Sequence, residues 1–319
     1  MKRYVFTCLV VSLLIATWAT GVLAASKVYT VGVTTIVSHP ALESDQEGFE
    51  QALADAGLKI RYDYQNAQGE MSNAQTIAQK FADDRVDLVH AIATPTAQAA
   101  VKVIANIPIV YSSVTDPVDA GLVKTMGPDG GNVTGVSDAW PIRRQLELYH
   151  EILPSAKKWG TIYNAGDANS LVNIGKTRKA MKRLEMELLE VTVSNSSEVY
   201  TAAQSLVGRV DAIYITSDNT VVSALGSVAK VASRNRIPFF AGDTASVGQG
   251  ASVALGFNYF QVGYAAGKKA AKILRGEKPG SIPSGFAENL SLHLSLANAK
   301  KQGLPIDQKY VNMAEKVYK

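Results

Sequence analysis

The feature that most constrains the fold of this chain is an internal repeat. The tripeptide Arg85-Val86-Asp87 recurs as Arg209-Val210-Asp211. Each copy is followed by six mostly apolar residues, a polar turn and a helical pattern, and each helix ends before an Ile-Pro strand start. Two copies of one α/β domain explain such a repeat most simply. We therefore expect two similar halves.

Short β-branched runs alternate with longer helical patterns along the chain. The first four segments cover residues 29–37, 41–56, 58–64 and 71–83. Alternation of this kind predicts βαβ units around a parallel sheet. The nearly continuous apolar runs at 87–93 and 107–111 suit a sheet that is covered on both faces. We predict an α/β fold with two Rossmann-like lobes, each built on a parallel sheet, and a ligand cleft between them.

The N-terminus has the pattern of a secretory signal peptide. Lys2 and Arg3 precede an apolar run over residues 5–19, and small residues lead to Ala24. This run is shorter than the roughly 20 residues that span a membrane, and Ala24 fits a signal-peptidase site. The single cysteine, Cys8, lies inside the run and so cannot be the first residue of a lipoprotein. We predict cleavage after Ala24 and a periplasmic protein; a retained anchor is the alternative.

Size and charge then limit the possible classes of protein. Removal of residues 1–24 leaves 295 residues, which suggests two domains of about 100 to 200 residues. The formal net charge of +4 falls to +2 because Lys2 and Arg3 leave with the signal. The remaining basic residues are scattered, so no nucleic-acid footprint is expected.

Six polar loops follow strand patterns, and they are the expected ligand-binding loops. They lie at residues 33–40, 94–96, 112–113, 162–170, 218–220 and 242–243. Ligands of open parallel sheets bind beyond the carboxyl ends of the strands. If the two halves face each other, these loops line a shared cleft that can close by hinge motion.

The chemistry of these loops suggests a zwitterionic ligand. Thr94 and Thr96 flank a proline at a helix start, where free N–H groups and hydroxyls favour a carboxylate. Asp218 and Asp243 end strands of the second half and would attract an ammonium group. Helix capping is the alternative role for Thr94 and for both aspartates. Asn169 and Ser170 could likewise hold a ligand oxygen or only begin a helix.

Signatures of enzymes are missing from the sequence. The four histidines, His39, His90, His150 and His293, show no metal-ligand spacing. There is no G-x-S-x-G elbow, no Walker loop and no G-x-G-x-x-G after the first strand. We therefore expect neither an enzyme nor a cofactor or metal site.

Motifs throughout the chain carry a resemblance to a known family. They are Val37-Ser-His-Pro-Ala-Leu42, Tyr64-Gln-Asn-Ala-Gln-Gly69, Ala93-Thr-Pro-Thr-Ala-Gln-Ala99, Thr115-Asp-Pro117, Gly131-Asn-Val-Thr-Gly-Val-Ser-Asp138, Tyr163-Asn-Ala-Gly-Asp-Ala-Asn-Ser170, Asn195-Ser-Ser-Glu198, Ser217-Asp-Asn-Thr-Val-Val-Ser-Ala224 and Phe240-Ala-Gly-Asp243. Over residues 31–306 the chain resembles ABC transporter substrate-binding proteins, whose characterised members take up tryptophan and related aromatic amino acids.

The resemblance implies a type I periplasmic-binding-protein fold with three crossovers between lobes. Lobe 1 is then expected at residues 25–138 plus 260–283, and lobe 2 at 139–259 plus 284–319. It also implies a monomer that captures tryptophan, phenylalanine or tyrosine for a membrane permease. A sugar ligand, a sensor that presents its ligand to a membrane receptor, and an enzyme on the same scaffold remain alternatives.

By position, the resemblance points to fourteen ligand-binding residues in the polar loops. They are Thr35, Ser38, Thr94, Thr96, Ser112, Ser113, Thr115, Asn164, Asn169, Ser170, Ser217, Asp218, Asn219 and Asp243. The chain departs from the family pattern at Thr35 and Ser38, where many relatives have a glutamine and an acidic residue, and at Ala165, where many have proline. Because these loops are expected to face the ligand side chain, the departures leave the identity of the ligand open.

Overall fold

The structure, a computed structural model, describes residues 27–319. The predicted signal peptide and its cleavage site after Ala24 lie outside the described residues. Within them the chain forms two separate sheets, one of six strands and one of seven, flanked by helices. The predicted α/β class with two sheets of mostly parallel strands is confirmed.

The first sheet is entirely parallel and has the order β11-β5-β4-β3-β1-β2. Its strands are β1 (Val28–Thr35), β2 (Lys59–Asn66), β3 (Leu88–Ile92), β4 (Ile109–Val114), β5 (Val133–Ser137) and β11 (Gly285–Phe286). The helices α1 (Pro40–Asp55), α2 (Met71–Asp83), α3 (Thr94–Val103) and α9 (Tyr259–Leu274) complete the first lobe. The central strands β3, β4 and β5 are buried along their whole length, as their apolar sequences predict.

The second sheet has the order β13-β12-β10-β9-β8-β6-β7, and only the pairing of β10 with β12 is antiparallel. Its strands are β6 (Lys158–Asn164), β7 (Glu187–Val193), β8 (Ala212–Ile215), β9 (Phe239–Ala241), β10 (Val253–Phe257), β12 (Leu290–Ser295) and β13 (Lys316–Tyr318). The second lobe adds the helices α4 (Ile142–Ile152), α5 (Ala168–Arg183), α6 (Val199–Ser205), α7 (Asn219–Ser223), α8 (Leu225–Asn235), α10 (Leu296–Lys301) and α11 (Gln308–Met313). Short 3-10 helices cover Ser196–Glu198, Thr244–Val247 and Pro279–Ser281.

The repeated tripeptide has the same structural role in both lobes. Asp87 accepts a 2.7 Å hydrogen bond from the backbone N–H of Thr30, at the start of the first strand of lobe one. Asp211 accepts 2.8 Å bonds from the N–H groups of Lys157 and Lys158, at the start of the first strand of lobe two. Asp87 therefore joins the start of β3 to β1, and Asp211 joins the start of β8 to β6. The repeated tripeptide has a structural role.

The chain passes between the lobes three times. The first crossing runs from Ser137 to Ile142, and the second leads from Phe257 into α9. Helix α9 packs against α1 so closely that a Cβ on Gly263 would lie 1.7 Å from the Asp45 carbonyl oxygen. The sequence places the third crossing at Pro283, but β11 pairs with β5, so the chain leaves the first sheet only after Phe286.

Two buried cores stabilise the lobes. One includes residues of both lobes and contains Phe49, Tyr111 and Trp159. The other lies entirely within the second lobe, between its sheet and the helices α6, α7 and α8. No helix in residues 27–319 is both long and apolar enough to cross a membrane.

Candidate functional site

A cavity lies between the two lobes, beyond the carboxyl ends of both sheets. It is lined by His39, Ala41, Leu42, Thr94, Ser113, Thr115, Asp138, Asn169, Ser217, Asp218, Asn219, Val222, Asp243 and Tyr259. The atom-free space there, including the part open to solvent, is ≈ 360 Å³. Of these residues only Ser217 is not buried.

The lobes touch each other around this cavity. Helix α3 contacts α5, and α1 contacts the short helix Thr244–Val247, so each lobe supplies a wall. Eight of the fourteen residues expected from the sequence line the cavity: Thr94, Ser113, Thr115, Asn169, Ser217, Asp218, Asn219 and Asp243. The structure therefore brings polar loops from both halves together.

The other six expected residues lie nearby, but their side chains bond to the protein. Thr96 donates to the carbonyl oxygens of Ile92 and Ala93. Thr35 donates to the Val37 carbonyl, and the exposed Ser38 accepts from Asn66. These three residues shape the loops rather than line the cavity.

The remaining three serve neighbouring carboxylates or loops. Ser112 donates to Asp45 at 2.7 Å, and Ser170 donates to Asp218 at 2.6 Å. The Asn164 amide donates to the Thr220 hydroxyl at 3.0 Å. Their polar groups support the cavity wall from behind.

Helix α3 presents an uncapped N-terminus to the cavity. Ala93 precedes the helix, provides no side-chain cap and has a φ of 77°. Thr94 is therefore the first helical residue and not the N-cap. The N–H groups at such a helix start lack intrahelical partners and attract an anion. Thr94 and Thr115, which both have hydroxyl groups, line the cavity beside this helix start.

The end of strand β4, which contacts α3, has a strained backbone conformation. Ser113 has a φ of 54°, which is uncommon for a residue with a side chain. Its hydroxyl and that of Ser112 both donate to Asp45, which is completely buried on α1. Burial raises the Asp45 pKa to about 7 even though the two serine hydrogen bonds act to lower it. Asp45 thus positions the Ser113 wall of the cavity.

The carboxylate of Asp218 is used to cap and join elements of the second lobe. Its Oδ1 accepts from the Val221 N–H at 2.8 Å, which caps α7. Its Oδ2 accepts from the Asn164 N–H and the Ser170 hydroxyl, both at 2.6 Å. These bonds favour the capping alternative for Asp218, because both oxygens already have protein donors.

Asp243 has a similar capping arrangement. Its Oδ1 accepts from the Ser246 N–H at 2.8 Å, and its Oδ2 accepts from the Ser246 hydroxyl. Burial raises the pKa values of both Asp218 and Asp243, and their hydrogen bonds oppose the shift. The geometry therefore gives each aspartate a structural role at the start of a helical segment.

Sequence reasoning missed the carboxylate that is least satisfied. Asp138 lies on the first crossing and is 2% exposed. Its Oδ2 accepts from the Tyr259 hydroxyl at 2.7 Å and from the Trp140 indole N–H at 3.3 Å. Within residues 27–319 its Oδ1 has no hydrogen-bond partner. Burial raises its pKa, and the bonds from Tyr259 and Trp140 oppose the shift.

Two further buried atoms of the cavity residues are unpaired in the described part of the chain. They are the Nδ1 of His39 and the Oδ1 of Asn169. Three carboxylates and no lysine or arginine line the cavity as residues 27–319 define it. Buried polar atoms in native proteins are normally hydrogen-bonded, so the unpaired Oδ1 atoms of Asp138 and Asn169, in a cavity with three carboxyl groups, fit a ligand with a cationic donor group.

Comparisons with known proteins identify the family of this chain. The sequence profile of ABC transporter substrate binding proteins matches residues 30–318. The chain belongs to this family. A curated relative, the tyrosine-binding protein of Clostridioides difficile (strain R20291), is 43% identical over 263 residues, which are 81% of this chain and 76% of the relative.

Two solved structures of similar proteins show the same type I periplasmic-binding-protein fold that this substrate-binding protein has. One is an ABC domain in complex with L-Trp from Streptococcus pneumonia, with a TM-score of 0.87, 28% identity and coverage of 91% of this chain and 100% of that one. The other is a ligand-free, open substrate binding protein with adhesive properties from Clostridium difficile, with a TM-score of 0.67, 37% identity and coverage of 91% and 99%.

Proposed function

We propose that this protein is the exported substrate-binding component of an ABC importer and that it captures an aromatic amino acid in the cavity between its lobes. The observation that carries the proposal is the unpaired Oδ1 of the buried Asp138, set in a cavity that also contains the uncapped start of α3. An α-amino acid satisfies both, with its ammonium group at Asp138 and its carboxylate at Thr94 and Thr115.

Similarity supports the aromatic part of the proposal. The 43% identical relative is named a tyrosine-binding protein, and a 28% identical neighbour was solved with L-Trp. Apolar surface for a ring is available on the cavity wall at Ala41, Leu42 and Val222. We therefore include tyrosine, tryptophan and phenylalanine as candidate ligands.

The TM-scores support a closed arrangement of the lobes in this structure. The TM-score is 0.87 to the L-Trp complex but 0.67 to the open, ligand-free protein, although the latter is more similar in sequence. We propose that the lobes hinge at the three crossings, close on the amino acid and present the closed form to a membrane permease. We further propose that the protein is exported with cleavage after Ala24. It acts as a monomer in this proposal.

Native mass spectrometry and calorimetry test the proposed function directly. Protein exported from its host should begin at Ala25, and it should carry, or bind after refolding, one aromatic L-amino acid per chain. A co-purifying sugar, or no calorimetric signal with any aromatic amino acid, would contradict the proposal. Turnover of the bound molecule would indicate an enzyme instead.

A further inference from the structure

We propose that His39 determines ligand specificity by accepting a hydrogen bond from a donor on the ligand side chain, so that the site selects tyrosine or tryptophan over phenylalanine. This inference rests on the proposed amino-acid function. It assigns a role to a residue of the motif at 37–42 that was not among the fourteen expected ligand-binding residues.

His39 lies at the boundary of the two lobes. It is the residue immediately before α1 in the first lobe, it is 8% exposed, and it lines the cavity. Its side chain interacts with that of Asn219, the first residue of α7 in the second lobe. The imidazole of His39 therefore lines the cavity at the place where the first lobe meets the second.

The ring is neutral at physiological pH. Burial lowers the pKa of His39 to about 4, and the hydrogen bond with Asn219 opposes this shift. A neutral imidazole has one N–H donor and one acceptor nitrogen. We assign the ring N–H to Nε2, which then donates to the Asn219 amide oxygen, because Nδ1 has no hydrogen-bond partner in the described chain.

The acceptor nitrogen is then Nδ1. This atom is buried. A lone pair that is buried without a donor costs free energy. A ligand O–H or N–H that reaches Nδ1 would restore that bond.

The surroundings of His39 suit the side chain of an amino acid better than its ammonium group. Ala41 and Leu42 lie on the first turn of α1 directly after His39, and Val222 lies one turn after Asn219 on α7. These residues form the apolar wall around the imidazole.

An aromatic ring on the apolar wall would therefore place its polar end at Nδ1. The tyrosine hydroxyl and the tryptophan indole N–H are donors, whereas phenylalanine has none. A site that is built to hydrogen-bond a ligand hydroxyl discriminates strongly against the analogue that lacks it, because its buried polar group stays unpaired. Shape alone gives much weaker discrimination.

The test is calorimetry of L-tyrosine, L-tryptophan and L-phenylalanine with the wild type and two variants. His39→Leu removes the acceptor and keeps a side chain of similar bulk. His39→Asn keeps an acceptor, because its Oδ1 occupies the same position along the side chain as Nδ1, and asparagine is a good residue before a helix. Thermal unfolding of both ligand-free variants checks that they fold.

The wild type should prefer L-tyrosine over L-phenylalanine by about 100-fold or more. His39→Leu should lose about 100-fold for tyrosine and less than about threefold for phenylalanine, while His39→Asn should keep most of the preference. Equal losses for all three ligands would place His39 at the amino-acid backbone and overturn the proposal, as would a wild type without a preference. Failure of the wild type to bind any of the three would instead contradict the proposed function itself.

Discussion

The Tyr259 hydroxyl donates a 2.7 Å hydrogen bond to Oδ2 of Asp138. Asp138 lies on the first crossing between the lobes, and Tyr259 begins α9 directly after the second. The bond therefore joins two hinge segments at the cavity and leaves the other oxygen of Asp138 for a ligand. Trp140 on the same crossing adds a second donor and packs over Gly242, where a Cβ would lie 1.3 Å from the indole ring.

Tyr259→Phe should weaken amino-acid binding by about tenfold, because a hydrogen bond to a charged group is worth about 1.5 to 3 kcal/mol. Without the hydroxyl, Asp138 loses its shorter bond and its pKa rises further. Calorimetry from pH 5 to 8 measures the affinity of both proteins. The loss of affinity should be larger at the acid end of this range, because the Asp138 carboxyl becomes protonated at a higher pH in Tyr259→Phe than in the wild type. An affinity equal to that of the wild type across this range would rule out the proposed role of Tyr259.

Asp218→Asn should act mainly on stability. The asparagine can still cap α7 through its oxygen, but its NH2 group cannot accept from the Asn164 N–H and the Ser170 hydroxyl. We expect the ligand-free protein to lose about 2 kcal/mol or more of unfolding free energy. Denaturant unfolding gives this value, and a variant as stable as the wild type but unable to bind would restore Asp218 as the ammonium partner.

Asp45→Asn should change the stability of the protein in a pH-dependent way. Burial raises the folded-state pKa of Asp45 from 3.8 to about 7. Between those values the unfolded chain has lost the proton and the folded one keeps it, so the stability contributed by this group falls as pH rises. The melting temperature of the variant minus that of the wild type should therefore increase from pH 4 to pH 7.

The neighbouring His90, whose Nε2 lies 3.6 Å from Oδ1 of Asp45, should affect the two proteins alike, because the Asp45 carboxyl is uncharged below its pKa of about 7. Burial lowers the pKa of His90 to about 3, so its contribution is lost as pH falls below about 6.5, but it is present in both proteins. A difference between the two melting temperatures that stays constant over this pH range would contradict the raised pKa of Asp45.

The two-sheet architecture could be predicted from the sequence because it depends on patterns within short segments of the chain. The repeat around Asp87 and Asp211 and the alternation of strand and helix patterns predict two parallel sheets, and both are present. Polar residues after strands predict the rim of a cleft, and eight of the fourteen expected residues reach the cavity. The third crossing was expected near Pro283, and the two-residue strand β11 has no periodicity that could locate it more closely.

The roles of individual side chains were less accessible. An aspartate before a helix has the same local sequence whether it caps or binds, and the role of Asp218 depends on Asn164 and Ser170, which lie about 50 positions earlier in the chain. Asp138 ends one of the motifs that carry the family resemblance, but it follows a strand without a helix start directly after it, so it was not among the expected binding residues. Oδ1 of Asp138 is recognised as free only in the folded protein, where Tyr259, 121 residues away in sequence, donates to Oδ2.

The binding of L-tyrosine and L-tryptophan to Asp138→Asn, measured by calorimetry beside the wild type, tests the central claim most directly. Asparagine can still accept from Tyr259 and Trp140, but it lacks the charge that an ammonium group requires. Removal of a charged partner costs about 2 to 5 kcal/mol, so affinity should fall about 30-fold or more. The ligand-free variant should melt at a higher temperature, because a buried carboxylate oxygen without a partner is removed. Wild-type affinity in Asp138→Asn would contradict the account.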